Sequence, residues 1–347
     1  MPRWPATKMR LSFAIGMARS LPLRAGSLAE QARVARRRRR VDAYAMAMRG
    51  YARPGQEGQR RTSMHVVTSF NRARLLPSAK WGGHSTGMTR ASLVNRALGS
   101  VHMEYEIVEL APGGEAQLVM HAYEKGLYML AGTVELERNG KAMRLGKADY
   151  ALVETATEHA FRNAGSEPAR WVELSAPQPK LRGDELPDTV FVGKARWQGP
   201  IAAPNYADPR VRAVGHDDGT MAPHRKVHGD LHGFSQKMLI DAPAGSVHFD
   251  MFLIEFVDGG LCNHHDHPFE EAYFVLEGTV DIRFGGKDYK LKPGDFGWNG
   301  VGTRHAFFPR SGNLVKWLEV MVPQPPVRNG VRFHARWERF RDALAKR

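Results

Sequence analysis

"HHDHPFEEAYFVLEG", residues 264–278, places three histidines and four carboxylates in fifteen residues and then runs apolar to a glycine. Such a stretch is either a solvated loop or a metal site. Strand geometry helps to separate the two. Side chains at i and i+2 of a strand face the same way. A strand ending at Pro268 therefore turns His265 and His267 to one face and His264 and Asp266 to the other. Glu271 then returns on the next strand, and His305 arrives from a distant one. Three neutral imidazoles and one carboxylate suit Mn, Fe, Ni or Zn, and the set leaves room for water and substrate.

The chain also repeats itself. "GSVHMEYEIVELAPGG" (99–114) recurs as "GSVHFDMFLIEFVDGG" (245–260), "GLYMLAGTVELERNG" (126–140) matches "AYFVLEGTVDIRFGG" (272–286), and "WVELSAPQP" (171–179) matches "WLEVMVPQP" (317–325). Each pair is offset by 146 residues, and the register holds without a gap from Gly99 to Pro179. Two copies of one domain are therefore present. Short runs rich in β-branched and aromatic residues, such as "EYEIVEL" and "VKWLEVMV", alternate with Gly, Pro, Asn and Asp turns. That spacing predicts an all-β sandwich or small barrel.

In the second copy Gly259, His265, His267, Glu271 and Gly278 are followed by Pro293-Gly294-Asp295 and His305. This two-motif spacing resembles the cupin superfamily, with Gly300 standing where proline is common. The resemblance covers about 75–335. It implies a bicupin, two tandem β-barrels of jelly-roll type, with one divalent metal, Mn first, on His265, His267, Glu271 and His305. The first copy has Val119, His121, Lys125 and His159 at these positions. Val119 offers no donor and Lys125 puts a cation where an anionic ligand belongs, so this barrel reads as metal-free and structural. A pocket using Lys125 and His159 to bind an anion is the alternative. Tyr273 and Phe307 share strand parity with Glu271 and His305, so they are expected to line a substrate pocket, with barrel core as the alternative. His264 and Glu270 are expected to be exposed or just outside the ligand set. Cys262, the single cysteine, excludes an intrachain disulfide framework and reads as a small loop residue rather than a nucleophile.

The paired lead strands, the degenerate first barrel and the metal-bearing second one resemble the (S)-ureidoglycine aminohydrolase family. Those are bicupins of purine catabolism that use manganese to release ammonia from ureidoglycine. The resemblance implies a hydrolase acting on a small carboxylate-bearing metabolite. The chain departs from the family's Glu, His, His, Gln order at three of the four ligands. The set present here is the ordinary one of germin-like oxidases, oxalate decarboxylases and many metal-dependent dioxygenases. An Fe- or Mn-dependent dioxygenase or oxidase of small organic acids or diols is therefore the second reading, and a metabolite-binding cupin without catalysis the third.

The net charge of +14 belongs mainly to one segment: residues 1–63 hold 15 Lys+Arg against 3 Asp+Glu. The remaining body is close to neutral, which excludes nucleic acid as a partner of the folded domains. No apolar run approaches membrane-spanning length, and a small-molecule substrate and a homo-oligomer are the expected partners. The expected organisation is a basic, arginine-rich extension over 1–63, disordered or with a short helix near 28–48, a first barrel over 75–182, a linker over 183–235, a second barrel over 236–330 and an amphipathic C-terminal helix over 331–347. The expected location is cytoplasmic, with organelle targeting by residues 1–63 as the alternative.

Overall fold

The computed structural model describes residues 65–78, 81–180, 187–208, 211, 213–309 and 312–325, with the backbone of 332–333. The 1–63 extension lies outside them. So does the expected C-terminal helix, except that Arg332–Phe333 form a short strand. Among the described residues no helix is long and apolar enough to cross a membrane.

The strands run β1 (His65–Ser69), β2 (Leu76–Pro77), β3 (Ser85–Val94), β4 (Glu104–His121), β5 (Glu124–Ala131), β6 (Val134–Arg138), β7 (Lys141–Leu145), β8 (Asp149–Val153), β9 (His159–Arg162), β10 (Ala169–Ala176), β11 (Thr189–Gly193) and β12 (Val214–His216). They continue as β13 (Arg225–His228), β14 (Leu231–Ile240), β15 (Asp250–Asp266), β16 (Glu270–Glu277), β17 (Val280–Phe284), β18 (Lys287–Leu291), β19 (Asp295–Asn299), β20 (His305–Phe308), β21 (Val315–Val322) and β22 (Arg332–Phe333). They form two antiparallel sheets of eleven strands. One has the path β12-β8-β5-β10-β4-β9-β6-β7 and the other β1-β19-β16-β21-β15-β20-β17-β18. The fold is thus all-β, with one barrel-like sheet built on each repeat.

The long strands β4 and β15 turn the corner of each barrel. β4 pairs with β10 across Glu104–Leu110 and then with β9 from Glu115 to Val119. Between these stretches Gly113 has φ +71°, and Gly259 in β15 has φ +72°. Both are left-handed positions that tolerate glycine best. This corner carries His265 from one layer of the second barrel to the other, where it pairs with His305 across β15 and β20.

The barrels share a core. Met103, Tyr105, Ile107, Val172 and Leu174 pack in one cluster with Phe249, Met251, Leu253, Phe296 and Trp298. Their polar seam is reciprocal. Glu270 accepts from Ser100 Oγ at 2.6 Å, Val101 N at 2.7 Å and His102 N at 3.3 Å. Glu124 accepts from Ser246 Oγ at 3.1 Å, Val247 N at 3.0 Å and His248 N at 3.0 Å. Glu270 is therefore buried between the barrels. It does not sit exposed or beside the ligand set as the sequence suggested, because three of its four donors come from the other repeat, the fourth being Trp298 Nε1 at 3.3 Å.

The 183–235 segment is more than a tether. β11 pairs with β4, β12 with β8 of the first barrel, and β13 with β14 of the second. In turn β1, which precedes the first repeat, adds to the second sheet through β19. Each added strand covers open amide and carbonyl groups at a sheet edge.

Replacing Glu270 by Ala leaves four donors without their acceptor, Ser100 Oγ and Trp298 Nε1 buried and the Val101 and His102 amides partly so, and it should destabilise the chain by about 2–4 kcal/mol in urea unfolding. Val101→Ala, in the same loop but 65% exposed, should change stability by less than about 0.5 kcal/mol. Equal small effects would contradict the capping role.

Candidate metal centre

The site grows out of three strands. His265 lies near the end of β15 and His267 just past it, Glu271 stands on β16, and His305 opens β20. All four are buried: 4%, 6%, 2% and 1% exposed. Ligand atoms of His265, His267 and His305 lie within 4.8 Å of one another. Glu271 closes the group, with Oε1 3.1 Å from His267 Nε2 and Oε2 3.0 Å from His305 Nε2. The structure therefore brings together the four residues singled out by spacing.

Tautomers follow from the backbone. His265 Nδ1 lies 2.7 Å from Asn263 O and His305 Nδ1 2.8 Å from Thr303 O. A carbonyl only accepts, so each Nδ1 donates and Nε2 keeps its lone pair. The His305 lone pair then meets a carboxylate oxygen at 3.0 Å, a contact that needs a proton or a cation. The spacing suits a metal: ligands about 2.1 Å from an ion and at right angles to each other stand about 3.0 Å apart. The donor set therefore fits a divalent transition metal.

Burial governs the protonation states. It lowers the His267 pKa to about 4, with the neighbouring His265 and His305 lowering it further against the pull of Glu271. Burial raises the Glu271 carboxyl, opposed by His267 and by a hydrogen bond from Tyr273. The Tyr273 hydroxyl donates to Glu271 Oε2 and lies 3.2 Å from His305 Nε2. Asn299 Nδ2 donates to the same hydroxyl at 3.4 Å. Tyr273 therefore touches the site. Phe307 sits deeper, stacked on Trp317 at 5.0 Å and edge-on to Tyr273 at 5.0 Å, within the barrel core.

Two neighbours were not singled out or were misread. Glu319 pairs across the strands with Tyr273 and accepts from Trp317 Nε1 at 2.8 Å. Burial, and then the charge of Glu271, hold its carboxyl well above the usual range. A signal existed, since both repeats carry a glutamate two residues after Trp171 and Trp317. Cys262 is a buried strand residue rather than a loop residue. Its Sγ lies 3.6 Å from His265 Nδ1, and burial pushes its thiol pKa up, which disfavours the thiolate a nucleophile needs. His264 is half-buried against Phe308.

The first barrel answers the same positions differently. Val119 pairs with His159, as His265 does with His305. Lys125 Nζ lies 2.5 Å from Glu173 Oε1, and Arg90 Nη1 lies 2.8 Å from Glu173 Oε1 and 2.7 Å from Glu106 Oε2. Ion pairs fill the place where the second barrel gathers imidazoles.

A sequence model of the cupin domain matches residues 106–175 and 252–321, once in each repeat. The tetracenomycin polyketide synthase protein TcmJ of Streptomyces glaucescens is 33% identical over 109 residues, 30% of this chain and 70% of that protein. Among solved structures, oxalate decarboxylase from Lactobacillus farciminis, a formate complex, superposes with a TM-score of 0.55 at 14% identity, covering 82% of this chain and 90% of that one. Salicylate 1,2-dioxygenase from Pseudoaminobacter salicylatoxidans, with gentisate, gives 0.57 at 14% identity over 77% and 83%. At such identities the likeness is one of fold.

Imidazole binds metal only when neutral. Because the His267 pKa is lowered to about 4, metal should stay bound on dialysis from about pH 8 down to about pH 5 and leave as the pH falls through about 4. Release beginning at the ordinary histidine value of about 6.5, read by elemental analysis, would contradict this ordering.

Proposed function

The chain belongs to the cupin superfamily as a two-barrel member, and from that premise we propose that its second barrel is the active site of a metal-dependent enzyme. It acts on a small carboxylate-bearing metabolite by hydrolysis or elimination with ammonia release, in the manner of the ureidoglycine aminohydrolases. The observation that carries this reading is the complete set of His265, His267, Glu271 and His305 with two further proton carriers beside it. Burial holds the Tyr273 hydroxyl well above its ordinary value, so it keeps its proton at neutral pH, and burial with the nearby charge of Glu271 favours the protonated form of Glu319.

His265, His267, Glu271 and His305 would hold a divalent ion, Mn first, with Fe, Ni or Zn as alternatives. When bound, that ion supplies Lewis acidity toward a substrate carboxylate and its neighbouring amino or hydroxyl group. The chain's own residues do the rest. Asn263 O and Thr303 O fix the ring tautomers. Tyr273 positions Glu271 by donating to Oε2, and its hydroxyl is the group placed to pass a proton to substrate. Phe307 and Trp317 keep water from the floor of the barrel.

The fold-level likeness to salicylate 1,2-dioxygenase, together with the three-imidazole set, favours a second reading: an oxygen-dependent dioxygenase or oxidase of small acids or diols.

Elemental mass spectrometry should find about one metal per chain, absent in His267→Ala. The loaded protein should release ammonia from small ureido or amino carboxylates without consuming oxygen. Oxygen uptake with small acids or diols would instead establish the second reading, and neither activity in a metal-loaded chain would sink both. Tyr273→Phe should retain metal yet lower turnover about 100-fold.

A further inference from the structure

Asn299 on β19 stands directly opposite Glu271 on β16, and directly opposed residues of paired strands share a face. Its side chain therefore lies on the inner face of the second barrel, and the residue is only 2% exposed. The first barrel shows what these places hold beside an ion-paired interior. Val153 stands opposite Lys125 as Asn299 stands opposite Glu271. Leu127 stands opposite Glu173 as Tyr273 stands opposite Glu319. Leu127 and Val153 both belong to the apolar core. The barrel that gathers the four ligands therefore has a phenol and an amide where its twin has two aliphatic side chains. Burying such groups is costly unless they are hydrogen-bonded, so packing does not account for the exchange.

The hydrogen bonds here run in one direction. The single proton of the Tyr273 hydroxyl goes to Glu271 Oε2. Toward Asn299 the phenol oxygen can then only accept, which fixes the amide with Nδ2 facing it at 3.4 Å. Asn299 Oδ1 is left buried with no partner among the described residues. The Tyr273 hydroxyl also has a second acceptor in reach, His305 Nε2 at 3.2 Å. That nitrogen carries the ring's lone pair, because His305 Nδ1 donates to Thr303 O. One hydroxyl thus stands between two ligands, and its proton can be aimed at either.

We propose that Asn299 is a positioning residue for the metal centre, acting through Tyr273. Its Nδ2–H occupies the phenol oxygen and holds the hydroxyl turned to Glu271. Successive hydrogen bonds in one direction strengthen each other, here from amide to phenol to carboxylate. His305 Nε2 is thereby left open for the ion. Without the amide donor the hydroxyl turns between Glu271 and His305, and in the second orientation it covers a lone pair that a metal needs. This role rests on the reading of His265, His267, Glu271 and His305 as a metal site.

The test is a double-mutant cycle on metal affinity. The full chain, stripped of metal, is titrated with cobalt(II) against a competing chelator. Asn299→Leu keeps the volume and removes the donor, and it should weaken cobalt binding about tenfold. Tyr273→Phe removes the hydroxyl that can cover His305, so alone it should stay within about threefold of the unaltered chain. Adding Tyr273→Phe to Asn299→Leu should restore binding to that level, a repair that a merely structural loss would not show. Asn299→Val, which installs the first barrel's residue, replaces Asn299→Leu in the cycle if the latter fails to fold. Unchanged affinity in the folded Asn299 variant, or an equal loss with and without the Tyr273 hydroxyl, overturns the positioning role while leaving the metal site intact. A full chain that takes up no cobalt overturns the metal site and this role with it.

Discussion

A carboxylate sealed inside a β-barrel must be given a cation or a proton, and both halves of the molecule are organised by that requirement. In the first barrel Glu173 is answered by Arg90 and Lys125. In the second the corresponding Glu319 has neither cation near it, because Gln236 and Glu271 stand in their places. Two carboxyl groups then share one interior, and each raises its hold on protons. His267 and His305 against Glu271, with His265 beside them, make that interior receptive to a metal. Three exchanged residues on the same set of strands, Arg90 for Gln236, Lys125 for Glu271 and Val119 for His265, thus separate an ion-paired core from a coordination site.

The two interiors are joined at their rims. Glu124 precedes Lys125, and Glu270 precedes Glu271, in strands β5 and β16. The outward member of each pair ties down a loop of the opposite barrel, while the inward member serves its own. Neither interior can shift along its strand without disturbing a loop that belongs to its neighbour.

Much of this was legible in the sequence, for identifiable reasons. The 146-residue offset gave two barrels, since an ungapped register over eighty residues leaves little freedom for anything else. Strand parity placed His265 and His267 together, and the structure supports the grouping with Glu271 and His305. What escaped were features whose partners lie in the other repeat or outside the repeat altogether. Glu270 could not be read because three of its four donors belong to Ser100, Val101 and His102. The exchange of β1 and β12 was hidden because short strands carry little periodicity and their pairing is non-local. Glu319 was visible as a repeated Trp-x-Glu but was not singled out, and only its missing cation distinguishes it from Glu173.

The exchanged strands also dictate an order of assembly. His65 is made before either repeat yet pairs with Asn299 in the second one. β12, made midway, finds its place on an already finished β8. The first barrel can therefore complete its sheet during synthesis, while β1 must wait for the second barrel to be translated. Such distant pairing slows folding and leaves an unpaired strand exposed in the interval. The barrel with the metal ligands is thus the later of the two to close.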